Sequence, residues 1–182
     1  MFFAPTSLAD AYLIRPDRRV DDRGYFARTM CYDEFAERGL VSDFVQQSLS
    51  VTAKAGTVRG LHFQYPPYGE AKLVRCVRGA IQDIILDLRQ DSPTYLRSEG
   101  FRLDAENGHQ LYVPPGFAHS FQTLVDDVEV TYLISAPYTP DAQGGLRYDD
   151  PELGIEWPLP VAAISPRDLA WPLIHPHAPP AL

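Results

Sequence analysis

The side chains able to do chemistry fall in a few short stretches. Arg59-Gly60-Leu61-His62-Phe63-Gln64 is the densest polar cluster, and Lys72-Leu73-Val74-Arg75 begins ten residues after His62. Gly116-Phe117-Ala118-His119-Ser120-Phe121 places a second histidine just after a Pro-Pro-Gly turn, and Tyr132 sits inside the apolar run Val128 to Ile134. Glycine at 60 permits another backbone to come close. A strand that turns Arg59 or His62 into a barrel must give each a partner or a ligand. Lys72, opening a run that otherwise reads as buried strand, is either a site residue or a rim residue whose ammonium reaches water.

This set suits proton transfer next to a carbonyl. Imidazole is neutral near pH 7 without assistance and can serve as the base. The developing enolate needs a cation or a donor, which Lys72 can supply. Inversion of a stereocentre needs a proton returned on the opposite face, which a tyrosine hydroxyl such as that of Tyr132 can provide. Arg23 and Arg59 suit a diphosphate. Each residue also has a plainer use. A strand histidine is more often a satisfied core residue, and a tyrosine in an apolar strand is more often packing. Residue types and spacing therefore leave both roles open.

Other chemistries find no matching pattern. A metal site of the kind common in cupins needs a short His-x-His pair, but Phe63 and Gln64 follow His62. His175 and His177 have that spacing and lie in a proline-rich tail. Three ligands in one place are not visible, so neither a metal nor a cofactor is expected. There is no G-x-S-x-G elbow, P-loop or dinucleotide fingerprint. Cys31 and Cys76 form neither a C-x-x-C pair nor a zinc pattern and read as two reduced thiols.

The elements that would hold these residues are short strands. Phe44 to Ser50, Ala80 to Leu88, Gln110 to Val113 and Val128 to Ile134 alternate or run as brief apolar stretches. Turn signals part them at Arg78-Gly79, Asn107-Gly108, Pro114-Pro115-Gly116 and Asp126-Asp127. Helical periodicity is confined to Tyr32 to Arg38, ended by Gly39. A β-α-β pattern is absent, so the expected fold is all-β: a cupin-type double-stranded jelly roll with a few short helical turns. With 182 residues, 45% of them hydrophobic and 22% charged, the chain suits a single globular domain over residues 1–182. Its core is expected over about 8–172, the stretch after Pro137 wrapping the barrel and 173–182 forming an unstructured tail.

A net charge of −8 makes a poor footprint for nucleic acid. No apolar run approaches the ~18 residues of a membrane span, and the N-terminus lacks the basic start of a signal peptide. The sequence reads as soluble and cytoplasmic, with no nucleic-acid or membrane partner.

Taken together, the motifs resemble the dTDP-4-dehydrorhamnose 3,5-epimerase family over about Asp21 to Pro172. The matching pieces include D-D-R-G-Y-F (21–26), F-V-Q-Q-S-L-S (44–50), V-R-G-L-H-F-Q (58–64), K-L-V-R-C-V-R-G (72–79), P-P-G-F-A-H-S-F (114–121), Y-T-P (138–140) and S-P-R-D (165–168). The resemblance implies a metal-free jelly-roll homodimer acting on a nucleotide-diphosphate 4-keto-6-deoxy sugar. In it, His62 would take the proton, Asp168 would pair with His62, Tyr132 would donate and Lys72 would stabilise the enolate. Nucleotide and phosphate contacts would fall on Arg23, Gln47, Arg59, His119 and Arg167. Phe26 and Tyr138 would line the base and sugar regions.

Some positions depart from the family pattern. Arg28 stands where a glutamate is usual, Ser48 ends what is usually Q-D-N, and Gln143 replaces another glutamate. A glutamate can accept from the N–H of thymine, whereas arginine only donates. Arg28 would better meet an acceptor edge such as that of cytosine or guanine. Double inversion of a dTDP-linked sugar is therefore the default expectation. Single inversion on a CDP- or GDP-linked sugar, or a sugar-nucleotide binding cupin without catalysis, are the alternatives.

Overall fold

A computed structural model describes residues 1–175, 180 and 182 of the chain. Half of the tail expected to be unstructured, including His177, lies outside the described residues. Thirteen short strands account for most of the order. They are β1 (Phe2–Pro5), β2 (Tyr12–Arg15), β3 (Arg19–Asp21), β4 (Gly24–Phe26), β5 (Gln46–Thr52), β6 (Val58–Gln64) and β7 (Lys72–Arg78), followed by β8 (Ala80–Asp87), β9 (Ser98–Asp104), β10 (Gln110–Val113), β11 (Phe117–Thr123), β12 (Val128–Ile134) and β13 (Gln143–Gly145). The two α-helices are brief, α1 (Tyr32–Ala36) and α2 (Pro166–Leu169).

The strands form a six-stranded sheet in the order β1-β2-β10-β7-β12-β5 and a five-stranded sheet in the order β13-β6-β11-β8-β9. Neighbouring strands pair antiparallel, while β3 and β4 form a separate hairpin. This is the jelly roll expected from the strand spacing. Its main core lies between the sheets, where Val74, Cys76, Val128 and Val130 of the first meet Ile81, Ile85, Phe117 and Phe121 of the second.

Both outer faces are also partly covered, which explains why simple alternation fails along β8 and β11. On the far side of the five-stranded sheet, the chain after β13 packs Leu146, Leu153 and Ile174 against Leu61, Leu86 and Ala118. Residues of β11 are therefore buried on both faces. On the far side of the six-stranded sheet, α1 buries Phe35 against Ile14, Leu73 and Tyr112. This side chain anchors a helix too short to persist by itself.

Strands β10 and β12 have the bounds read from the sequence. β5 begins two residues later than expected, because Phe44 packs edge-on to Phe35 with ring centroids 6.0 Å apart instead of joining the ladder. α1 ends at Ala36, short of Arg38, and a turn leads to Gly39 at φ +69°. Helix α2 carries no periodic signal in its four residues. It is set by Pro166 in its first turn and by Ser165, whose Oγ accepts from the Asp168 amide at 3.0 Å.

Candidate active site

A cleft of about 580 Å³ opens at one end of the roll, between β5, β7 and β12 of one sheet and β6 and β11 of the other. Its position follows from where the core stops. Towards one end of β12, Val128 and Val130 fill the space between the sheets, and towards the other Tyr132 and Ile134 border a void.

Arg59 and His62 both line this cleft although they stand three positions apart, a spacing that puts side chains on opposite faces of a regular strand. The register explains it: His62 pairs with His119 and Arg59 with Phe121, so β6 holds one more residue than β11 over that interval. This is a bulge. Gly60 occupies it at φ +124°, where a Cβ would lie 2.6 Å from both the His119 carbonyl oxygen and the Ser120 Cβ. Only glycine fits there without displacement.

His62 Nε2 lies 2.6 Å from Asp168 Oδ1, and the Gly60 amide donates to Asp168 Oδ2 at 3.3 Å. Burial disfavours the Asp168 anion, but the hydrogen bond and charge of His62 and the Gly60 amide outweigh it, and the carboxyl is held below its ordinary value. An anionic Asp168 on Nε2 selects the tautomer with its proton there and leaves Nδ1 as the basic nitrogen. His62 remains partly open to the cleft, with the edge of Trp171 beside it at 6.4 Å between ring centroids.

Tyr132 faces His62 from the opposite sheet. Burial, reinforced by the charge of Asp83, pushes its phenol well above the usual tyrosine range, while Arg59 pulls slightly the other way. The hydroxyl therefore stays protonated. His119 stands edge-on to Tyr132 at 6.1 Å between centroids, and its Nε2 lies 3.0 and 2.9 Å from the two oxygens of Asp83. Asp83 is fully buried, and burial raises its carboxyl above the ordinary value despite the opposing charges of His119 and Lys72. Lys72 points its ammonium at Glu70 Oε1, 2.9 Å away.

Arg59, Tyr138, Gln143, Ser48 and Arg167 also line the cleft. Arg59 is braced by Thr52 Oγ1 at 3.1 Å and the Val51 carbonyl at 3.3 Å. Tyr138 donates its hydroxyl to Gln143 Oε1 at 2.9 Å. Arg167 lies over the Trp171 ring at 5.5 Å. His119, expected among the nucleotide and phosphate contacts, also lines the cleft, largely buried beside Tyr132.

Four expected residues are not brought together with the rest in this single chain. Arg23 sits at the tip of the β3–β4 hairpin, paired with Asp21. Phe26 is exposed, and with Arg28 it borders a separate hollow beside Asp17, Arg19 and Glu34. Gln47 faces away from the cleft, because Ser48 and Ser50 take the inward positions of β5. No group of three or more metal-ligating side chains occurs among the described residues.

Two carboxylates in contact with cleft residues, Asp83 beside His119 and Glu70 beside Lys72, were not anticipated. Asp83 had a visible signal, one of two carboxylates in the largely apolar run Ala80 to Leu88. Glu70 stands two residues before Lys72, in a stretch without strand periodicity.

Comparison with known proteins bears on the same constellation. The family model for dTDP-4-dehydrorhamnose 3,5-epimerase matches residues 5–175. The dTDP-4-dehydrorhamnose 3,5-epimerase of Sinorhizobium fredii is 43% identical over 94% of this chain and 89% of its own. A dTDP-4-dehydrorhamnose 3-epimerase of Streptomyces niveus is 41% identical over 92% of this chain and 81% of its own. The crystal structure of the Bacillus anthracis 3,5-epimerase with TDP and PPi bound superposes with a TM-score of 0.92 at 41% identity, over 95% of this chain and 99% of that one.

Proposed function

This chain belongs to the dTDP-4-dehydrorhamnose 3,5-epimerase family, and we propose that it inverts carbons 3 and 5 of a dTDP-linked 4-keto-6-deoxy sugar. One observation carries the reading: His62 on one sheet, paired with Asp168 of α2, and a proton-bearing Tyr132 on the other sheet face a common cleft, with Lys72 at its side. His62 takes a proton from the carbon next to the ketone, and the C–H electron pair moves onto the carbonyl oxygen. Asp168 stabilises the imidazolium that results. Lys72 donates to the enolate oxygen. The pair then returns to carbon, which takes the Tyr132 proton from the opposite face. The imidazolium and phenolate are reset by proton exchange with water, so the net reaction changes configuration alone.

Arg59 and Arg167 are suited to the diphosphate, and Tyr138, Gln143 and Ser48 to the sugar end of the cleft. Arg28 lies outside the cleft of its own chain, and the dTDP-linked sugar rests on the family and its relatives. A catalytically idle cupin would not need His62, Lys72, Tyr132 and Asp168 around one cavity. The Streptomyces niveus relative favours a second reading, inversion at carbon 3 only.

A homodimer belongs to the same proposal. β5 is an edge strand, and its outward face presents exposed Leu49 and Val51. In the same row across the sheet, Arg75 carries a buried Nε with no hydrogen-bond partner among the described residues. A second copy seated on this face would cover the apolar row and a bare sheet edge. It would also give Arg23, Phe26, Arg28 and Gln47 a neighbouring cleft to serve. Sedimentation should show a dimer that Leu49→Asp converts to monomer; a monomeric parent protein would reject this part. No described helix is long and apolar enough to cross a membrane. The free thiols of Cys31 and Cys76 fit the reducing cytoplasm proposed for it.

The test is proton exchange in deuterated water. With a dTDP-linked 4-keto-6-deoxy sugar, the carbon 3 and carbon 5 signals should both fade in the NMR spectrum as the inverted sugar forms. Loss at carbon 3 alone would establish the single inversion, and loss at neither would reject the epimerase reading.

A further inference from the structure

We propose that Glu70 is a positioning residue for this reaction, holding the Lys72 ammonium in place and linking it, through Gln64, to the loop that carries Tyr138. The inference rests on the epimerase reading and deepens it. Glu70 and Lys72 are both largely buried, with side chains only 11% and 12% exposed, and both line the cleft. Their 2.9 Å contact uses one of the three donors of the ammonium and leaves two for a substrate oxygen. A lysine stem has four rotatable bonds, so an ammonium without such an anchor would sample many positions.

The second oxygen of Glu70 is also engaged. The two N–H donors of Gln64 Nε2 are shared among Glu70 Oε2 at 3.2 Å and the carbonyls of Tyr68 at 2.9 Å and Pro137 at 3.3 Å. Its Oε1 accepts from the Thr139 amide at 2.7 Å. Gln64 is 4% exposed, and its amide is fully occupied in joining β6, the loop before β7 and the loop around Tyr138. Nothing in this arrangement is needed to close the core, which lies deeper between the sheets. The contacts converge on Lys72, whose ammonium is placed to meet a developing oxyanion.

A carboxylate near an enolate also repels it, so charge and positioning make opposite predictions for its removal. Glu70→Gln keeps the shape and removes the charge. If positioning governs, its kcat falls about 10- to 100-fold, as expected for a misplaced catalytic group. Substrate KM, affinity for dTDP and the melting temperature stay close to the parent values, and Glu70→Asp recovers part of the rate. Glu70 acts through Lys72, so Glu70→Gln should add no further loss to Lys72→Gln when exchange is followed over days. A raised kcat, a raised KM at unchanged kcat, or an equal additional loss in the Lys72→Gln background would each overturn the proposal. If Lys72→Gln is too slow to time, the kcat and KM of the single Glu70 variants decide. A parent protein that exchanges neither proton would instead reject the epimerase reading itself.

Discussion

At the scale of single residues, the cleft separates two proton-carrying groups by environment. Asp168 is kept anionic and holds one imidazole nitrogen, while burial keeps the Tyr132 phenol protonated. Removing the base should therefore stop the reaction at its first step. His62→Ala should abolish exchange at both carbons while dTDP affinity, measured by calorimetry, changes by less than about 1 kcal/mol; persistent exchange would mean another base. Tyr132→Phe should have a different signature. His62 can still remove a proton and water can return it to the same face, so exchange survives at a carbon His62 reaches while inversion falls by about 100-fold or more. Full inversion by that variant would assign the acid elsewhere.

At the scale of elements, the site depends on one bulge and one capped turn. The extra residue in β6 turns Arg59 and His62 to the same side, and α2 delivers Asp168 from a segment more than a hundred residues away. Gly60 serves both, since its close approach to β11 lets the bulge form and its amide holds Asp168. Gly60→Ala is expected to cost about 3 kcal/mol of stability, from the steric conflict and the positive φ together. The surviving folded protein should lose activity as well, because His62 and Asp168 move with the bulge. Urea unfolding and kcat measured on the same preparation check this; an unaltered midpoint would show that β11 can give way.

At the scale of the whole molecule, acid sensitivity follows from which carboxyls folding makes more acidic. Asp168, Asp87 and Asp104 all lie below the ordinary 3.8 in the folded state. Burial opposes each, and is outweighed by hydrogen bonds from His62 to Asp168, from Arg89, Ser92 and Thr94 to Asp87, and from Asn107 and Arg102 to Asp104. Between the folded and unfolded values the unfolded chain binds more protons, so stability rises with pH there. The contribution is complete above about pH 5 and is lost as pH falls through 3.8 towards the folded values. Asp83, raised by burial, works in the opposite direction and offsets part of the loss. Unfolding midpoints in urea should be level from pH 7 to 5 and drop steeply by pH 3. A flat profile across that range would mean these pairs contribute nothing net.

Much of this was legible before folding was considered. Strand spacing and Gly/Pro turns point to a jelly roll because period-two patterns and turn residues act locally, and β10 and β12 could be bounded outright. R-G-L-H, K-L-V-R and G-F-A-H identified the wall residues by type. Their orientation could not be read. Facing direction along β6 depends on a bulge set by its register with β11, and that register is chosen by the whole sheet. The His62–Asp168 contact spans 106 positions, and the resemblance, rather than any local pattern, implied it. Asp83 and Glu70 gained meaning only from the His119 and Lys72 that tertiary packing set against them. The sequence by itself determined the fold class and the chemical inventory, since both rest on local pattern and residue type. Only the tertiary structure decided which groups share the cleft, because burial, pairing and protonation state belong to positions in space.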